Sequence, residues 1–420
     1  MKKEIITKPK GMQDILPSES YKWQYIEKTA RETASLFGVQ EIRTPILESS
    51  NLFERGVGKD TDIVSKEMYK FTDKSNRSLT LKPEGTAPIV RSYIENGLFN
   101  EAKPVKLFYI SPFFRYERPQ KGRFRQFNQF GVEYFGSDDI KSDVEIIELV
   151  TTFFNKLGLK DLSVKINYIG DSDDRNTYSS VLRNYFKDKL DNLCDNCKSR
   201  YNNNILRLID CKVCSTNDIV KNAPSILDSL SNSSLEKFNL IKSMLDDINV
   251  KFVLDDKIVR GLDYYSGLVF EVEYEKIDGP SKTLCGGGRY DSLVSELGGI
   301  KTGAVGFGVG IERLLQEDLD IKIPDDKEVD IFVINNTDVK NADVKVANIL
   351  RTKGFTCVID LMQRSENANF KYASKLNVKN IIYIDEFNDN NIKLNLRNIN
   401  NTNQVELEKE INIINEKKEA

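Results

Sequence analysis

Residues 105–135 constrain the fold more than any other part of the chain. An apolar run, VKLFYI at 105–110, leads into PFFRYERPQKGRFRQFNQFGVEYFG at 112–136. The pattern predicts a strand over 105–115, a basic loop over 118–123 and a returning strand over 124–135, so an antiparallel hairpin with a long, Arg-rich tip. On the returning strand Gln129, Gly131 and Glu133 share one face, and Phe130, Val132 and Tyr134 share the other. The second face is expected to pack. The first sets hydrogen-bonding groups on either side of a gap where a ligand can approach the backbone. The tip carries Arg115, Arg118, Arg123 and Arg125, with five Phe between Phe113 and Phe130. Guanidiniums held on a hairpin suit a polyphosphate, because each is planar, always charged and able to bind oxyanions bidentately. The plainer alternative is an exposed hairpin with solvated charges.

Around this hairpin, apolar spacing predicts a helix over 18–37 with Ser18 as N-cap, a short strand at 39–43, a helix over 143–157 and a strand over 268–274. From about 171 to 250 the texture turns helical and rich in Asn, Ser, Lys and Asp, and strand-rich sequence then resumes. That middle stretch reads as an insertion. Charge and Pro mark a linker at 316–328. Beyond it, strands at 329–335, 354–360 and 378–384 alternate with helices at 339–353 and 363–376, which predicts a small three-layer α/β domain. The Asn-rich stretch 388–403 reads as turn and weak strand.

The chain has no histidine in 420 residues. Ser-His-Asp and Cys-His nucleophiles, His general bases and His-ligated metals are therefore excluded. Chemistry must run on Arg, Glu, Tyr, Lys, Cys and the backbone. Lys and Arg total 61 against 64 Asp and Glu, a net charge of −3, so any nucleic-acid surface must be a local patch. There is no apolar run long enough to span a membrane and no secretory signal pattern at the N-terminus, and six Cys make no disulfide scaffold. A reducing cytoplasm is the expected setting.

Other segments are candidates for chemistry. In LKPEGTAPIVR (81–91), Thr86 is placed as the N-cap of a helix with Pro88 in its first turn, and Glu84 in the tight turn suits an ammonium group. VRGLDYYSGLVFE (259–271) sets Arg260, Asp263, Tyr264 and Tyr265 before a strand. CGGGRYD (285–291), with Tyr290, and TGAVGFGVGIERLL (302–315) are Gly-rich. Gly306, Gly308 and Gly310 do not have dinucleotide-fingerprint spacing, and no Walker lysine follows. Arg313 in the first turn of a helix opposes its dipole, which argues for function over stability. Cys194-x-x-Cys197 and Cys211-x-x-Cys214, thirteen residues apart, make a candidate structural zinc site of four thiolates. Cys285 and Cys357 read as ordinary small residues.

Taken together these segments resemble the histidyl-tRNA synthetase family, within the class II aminoacyl-tRNA synthetases, over nearly the whole chain. EIRTPILESSNLF (41–53) is similar to the first class motif. Phe114, Arg115 and Glu117, followed by Arg123 and Phe127, are similar to the second, and Gly310 to Arg313 to the third. RGLDYY (260–265) and GFGVGIERLL are similar to the two histidine-specific segments. The resemblance implies an α+β fold: a class II antiparallel sheet with helices (1–170 and 251–322), a mostly helical insertion domain (171–250) and a C-terminal α/β anticodon-binding domain (328–420). It implies a homodimer, with ATP and Mg²⁺, L-histidine and tRNA(His) as ligands and partners. It also implies roles. Arg115 would hold the ATP α-phosphate, Arg123 and Arg313 the γ-phosphate, with Glu117 in the ATP site and Phe127 stacked on adenine. Glu84, Thr86 and Gln129 would hold the substrate ammonium, and Glu133 and Tyr265 would read the imidazole, with Tyr264 and Tyr290 in the same pocket. Arg260 would lie between substrate carboxylate and α-phosphate. Lys371, Lys375 and Lys379 are the local cations for tRNA phosphates.

The chain departs from the family at Tyr116 and Asn128, where members often carry His. Two explanations stay open for a synthetase without histidine: independence of its own synthesis from histidine supply, or drift in a Lys/Asn/Ile-biased genome. Two other functional readings compete. A catalytically inactive, synthetase-like regulatory subunit of histidine biosynthesis would lack the C-terminal domain, and a tRNA-binding module would not need the Arg set.

Overall fold

A computed structural model describes residues 5–59, 61–120, 122–211, 213–259, 264–275, 281–315, 319, 321–324, 329–388, 392–398, 408–409 and 411–412. The chain divides into two units, Met1–Ile323 and Pro324–Ala420.

The first unit opens with helix α1, Pro17–Leu36, which buries Trp23, Ile26, Ala30 and Ala34. Ser18 does not cap it. The helix starts a residue earlier, at Pro17, whose locked φ suits the first helical position, and no side chain caps its start. Strand β1, Gln40–Glu41, covers part of the expected 39–43 strand. A small antiparallel sheet follows, ordered β2-β4-β3, from β2 (Leu47–Ser49), β3 (Tyr69–Thr72) and β4 (Ser78–Leu81). Next come helix α2 (Thr86–Glu95), the long strands β5 (Val105–Phe114) and β6 (Gln126–Phe135), helix α3 (Lys141–Lys156) and strand β7 (Leu162–Tyr168). The helical stretch holds α4 (Ser172–Phe186), α5 (Asp195–Asn203), α6 (Leu206–Ile209) and α7 (Asn232–Asp247). Strands β8 (Phe252–Leu254), β9 (Ser266–Tyr274), β10 (Lys282–Arg289) and β11 (Ala304–Gly310) then lead directly into the short helix α8 (Ile311–Leu314).

Eight of these strands form one sheet, ordered β1-β5-β6-β11-β10-β9-β7-β8. Its interior is antiparallel, as the hairpin pattern requires, and only the edge pairs β1–β5 and β7–β8 are parallel. The hairpin runs in register from Val105 opposite Phe135 to Phe114 opposite Gln126. Phe130, Val132 and Tyr134 are buried, and Phe130 lies 5.0 Å from Phe153 of α3. Alternation therefore commits the opposite face of β6, with Gln129 and Glu133, to the site. Apolar residues of α4 and α7, including Leu182, Phe186, Phe238 and Ile241, join the same core as the sheet.

In the second unit, β12 (Ile331–Asn335), α9 (Ala342–Thr352), β13 (Cys357–Ile359), α10 (Glu366–Lys375), β14 (Asn380–Phe387) and β15 (Ile392–Asn398) follow in order. Its sheet is ordered β13-β12-β14-β15, parallel except for β15. Ile331 and Val333 pack with α9, and Phe332 and Ile334 with residues of α10, so helices cover both faces and the unit is three-layered. The Asn-rich stretch contributes β15, a full edge strand, because Ile392, Leu394 and Leu396 alternate toward the core.

Candidate active site

A cavity of about 530 Å³ opens on the polar face of the large sheet. It is lined by Glu84, Thr86, Arg115, Glu117, Arg123, Phe127, Gln129, Glu133, Tyr264, Tyr265, Tyr290 and Arg313, residues drawn from five separate sequence segments. Of the residues expected at the site, Arg260 lies outside the described residues, as does Asp263. Arg118 is exposed, and Arg125 packs its guanidinium 3.8 Å from the centre of the Tyr116 ring.

Glu133 is the centre of one side. Its carboxylate accepts the hydroxyl of Thr86 at 2.8 Å, that of Tyr109 at 3.5 Å and that of Tyr290 in a short bond. The whole residue is 1% exposed. Burial pushes the carboxyl up to about 8, and the nearby Glu84 adds to this, against the Tyr290 and Thr86 hydroxyls, which favour the charged form. Tyr264 and Tyr290 stand 5.5 Å apart, ring centre to ring centre, and Tyr264 and Tyr265 4.8 Å. A polar, hydroxyl-lined hollow with one buried acid suits a small ligand with N–H donors.

The glycines make room for that acid. Gly306 of β11 pairs with Glu133 of β6, and a Cβ there would come within 1.9 Å of a Glu133 carboxylate oxygen. Gly131 works differently from its expected role. A Cβ on it would meet the Tyr109 ring at 2.3 Å, so the gap is filled by a side chain of β5, not left for a ligand. Gly85 faces the same ring at 2.2 Å. Tyr109 was missed because an aromatic in an apolar strand reads as core. Its register opposite Gly131 is the signal that could have found it.

Thr86 is not an N-cap. It is the first residue of α2, and its hydroxyl turns to Glu133. Glu84 does the capping instead, its carboxylate accepting the backbone N–H of Thr86 at 2.8 Å and of Ala87 at 2.9 Å. Sequence favours Thr at such a position, but the buried acid on β6 competes for its hydroxyl. Burial drives the Glu84 carboxyl upward, opposed by those two amides and by Arg115.

The other side is basic. The Arg115 Nε donates to the Pro83 carbonyl at 2.8 Å, and its guanidinium stands 5.2 Å from the centre of the Phe127 ring. Arg123 pairs loosely with Glu117 at 3.7 Å, and Arg313 donates to the Thr283 carbonyl at 2.6 Å. Burial, then the positive field of Arg123 and more weakly of Arg115, pulls the Arg313 guanidinium below its ordinary value. These like charges, crowded at one wall, match an anionic ligand. Glu312, missed in the sequence because it sits beside the motif Arg, accepts the Asn128 backbone N–H at 2.8 Å and its side-chain amide at 3.1 Å. Asn128 thus ties α8, which carries Arg313, to the hairpin. Cys285 belongs to the cavity wall as well, so it is not merely a packing residue.

In the second unit Lys371 and Lys375 are exposed four residues apart on α10. Lys379 departs from the expected cluster, since its ammonium pairs with Asp330 at 3.3 Å.

A family model described as Histidyl-tRNA synthetase matches residues 11–314, and one described as Anticodon binding domain matches residues 328–417. A histidine–tRNA ligase of Thermoanaerobacter sp. (strain X514) is 47% identical over 407 residues, 96% of this chain and 97% of that protein. One from Clostridium botulinum (strain Hall) is 45% identical over 410 residues, 97% of this chain and 98% of that protein. The solved structure of apo S. aureus histidyl-tRNA synthetase is 35% identical, with a TM-score of 0.79, covering 98% of this chain and 100% of that one. Such identity along the full length, over a fold shared end to end with a solved synthetase, assigns the motifs their context: the chain belongs to the histidyl-tRNA synthetase family.

Proposed function

We propose that the chain activates L-histidine with ATP, forming histidyl-adenylate and diphosphate, and then transfers the histidyl group to the 3′ end of tRNA(His). The observation that carries this reading is one cavity with two chemistries: Arg115, Arg123 and Arg313 on one wall, and the buried acid Glu133 among hydroxyls on the other.

In this reading Arg115 holds the α-phosphate and Arg123 and Arg313 the γ-phosphate, with Glu117 and Phe127 at the adenine. Glu84 and Gln129 accept from the substrate ammonium. Thr86 joins them through its remaining lone pairs, since its proton is given to Glu133. Glu133 and Tyr265 read the imidazole, between Tyr264 and Tyr290. A buried acid that hydrogen-bonds both solute and neighbours rejects isosteres lacking the N–H group. Arg260 bridges the substrate carboxylate and the α-phosphate.

Adenylation needs no histidine in the enzyme. The attacking oxygen belongs to a carboxylate already ionised at neutral pH, so no base removes a proton. The carboxylate–phosphorus bond forms as the bond to diphosphate breaks, and the guanidiniums align the groups and neutralise developing charge. In the second step the tRNA hydroxyl attacks the acyl carbon, AMP leaves, and the phosphate takes the hydroxyl proton. Glu271, on the cavity wall close enough to act on Arg313, offers oxygen donors for Mg²⁺ carried by the nucleotide, which would spread phosphate charge further.

A homodimer and a cytoplasmic setting belong to the same proposal. Ile46, Leu47 and Phe71 stay exposed on and beside the small β2-β4-β3 sheet, which fits an interface built on the first class motif. Among the described residues no helix is long and apolar enough to cross a membrane. The second unit takes the anticodon stem-loop.

ATP–diphosphate exchange, measured with each amino acid in turn, tests the activity. Exchange is expected with histidine alone. Exchange with none, or with another amino acid in preference, overturns the reading.

A further inference from the structure

Away from the cavity wall, four cysteines converge. The sulfurs of Cys194, Cys197, Cys211 and Cys214 all lie within 4.8 Å of one another. Cys194 and Cys211 are 3.7 Å apart, sulfur to sulfur. A disulfide needs about 2.05 Å, so this is no covalent pair. A tetrahedron with zinc–sulfur bonds of about 2.3 Å has edges of roughly 3.8 Å, close to the Cys194–Cys211 distance.

The alternative is a patch of ordinary core, since free Cys packs as a small hydrophobe. Two observations weigh against it. Core packing spreads side chains over a surface and gives no reason for four thiols, brought from two separate pairs, to meet around one point. Helix α5 also buries little else that could hold it. Cys197 is the only buried residue of the nine in α5. A helix that short is unstable without tertiary anchoring, and one small side chain anchors little. The backbone N–H of Cys194 also donates to the Cys214 sulfur at 3.4 Å, the kind of outer contact that steadies a thiolate ligand.

The chain between the two cysteine pairs faces the active cavity. Arg200 donates to the Arg207 carbonyl at 2.9 Å, and both guanidiniums approach Asp62, at 3.8 and 3.9 Å. Asp62, Arg207 and Asp210 all line the cavity.

We propose that Cys194, Cys197, Cys211 and Cys214 bind one Zn²⁺ as a tetrathiolate site, and that the ion holds Arg207 and Asp210 at the cavity rim, with Arg207 against Asp62. As the four Zn–S bonds form, the thiol protons pass to solvent. The ion is structural, because four protein ligands leave no open position. Arg207 and Asp210 are positioning residues that act through the rim.

The test uses the full chain, purified without chelator or added metal. About one zinc per chain is expected, with these four thiols slow to react in the native protein until a strong chelator removes the ion. Zinc below about half an equivalent, with the four thiols freely titratable or joined in disulfides, overturns the site. Co²⁺ added to the metal-free protein is expected to give the visible bands of a tetrahedral thiolate complex, saturating at one equivalent. Absence of such bands also overturns it. Cys214→Ser is expected to lose the metal and to speed amide exchange across 205–211. A metal-free variant with unchanged exchange there sinks the positioning role. Should that variant fail to fold, the wild-type metal content and the Co²⁺ spectrum still decide. None of these readouts depends on which amino acid the enzyme activates, so this proposal and the assigned activity fail separately.

Discussion

Glu133 shows how far a single position can be read in advance. Its place on the polar face of β6 follows from alternation alone. That it is buried and takes three hydroxyls does not, because Tyr290 lies 157 positions away in sequence. Glu133→Gln is expected to raise the KM for histidine about 10- to 100-fold, the cost of leaving a buried hydrogen-bonding group unmatched, with a smaller change for ATP. It should also change the response to pH. The folded carboxyl titrates near 8, above its ordinary value of 4.5, so its contribution to stability is full below about 4.5 and is lost as pH rises through 8. The melting temperature of Glu133→Gln relative to the parent should therefore climb between pH 5 and 8 and level off above. A flat difference would show that Glu133 is not buried as described. Gly306→Ala drives a Cβ to 1.9 Å from the same carboxylate and is expected to abolish histidine-dependent exchange.

Elements were legible where periodicity is strong. The long hairpin, the α/β alternation and the β11–α8 junction follow from spacing. Helix starts were less so, because a cap is decided by which acceptor reaches the free amides. At α2 that acceptor is Glu84, released for the task by Thr86 turning away. Likewise, CGGGRYD looked like a ligand segment, and Cys285, Gly286 and Tyr290 do line the cavity, but Arg289 does not. Arg289 is structural. It is 6% exposed and makes a two-point ion pair with buried Asp143. Arg289→Met should destabilise the first unit by about 3–5 kcal/mol, since it strands a buried carboxylate. Asp143→Leu in the same chain should recover much of that loss, as read by denaturant unfolding. Glu312→Gln loosens the tie between α8 and Asn128. It is expected to lower kcat for exchange about tenfold, with the fold intact by melting.

For the molecule as a whole, the division of labour between the two units yields one more expectation. Lys371→Glu with Lys375→Glu should weaken tRNA binding about tenfold at low salt and less at high salt, while leaving ATP–diphosphate exchange untouched. Loss of exchange in that variant would mean that the second unit serves the cavity directly. Absence of histidine, the arginines at the hairpin tip, the paired cysteines and the glycine-rich run into Arg313 were all open to inspection in the primary structure. They limited the chemistry to charge neutralisation and positioning, because residue type and local period are properties of neighbours in the chain. Which of four arginines reach the ligand wall, which glycine is filled by a tyrosine and which hydroxyls close on Glu133 are contacts across tens to hundreds of positions. Folding settles them by competition for burial and for hydrogen-bond partners, and a linear pattern holds no record of that competition.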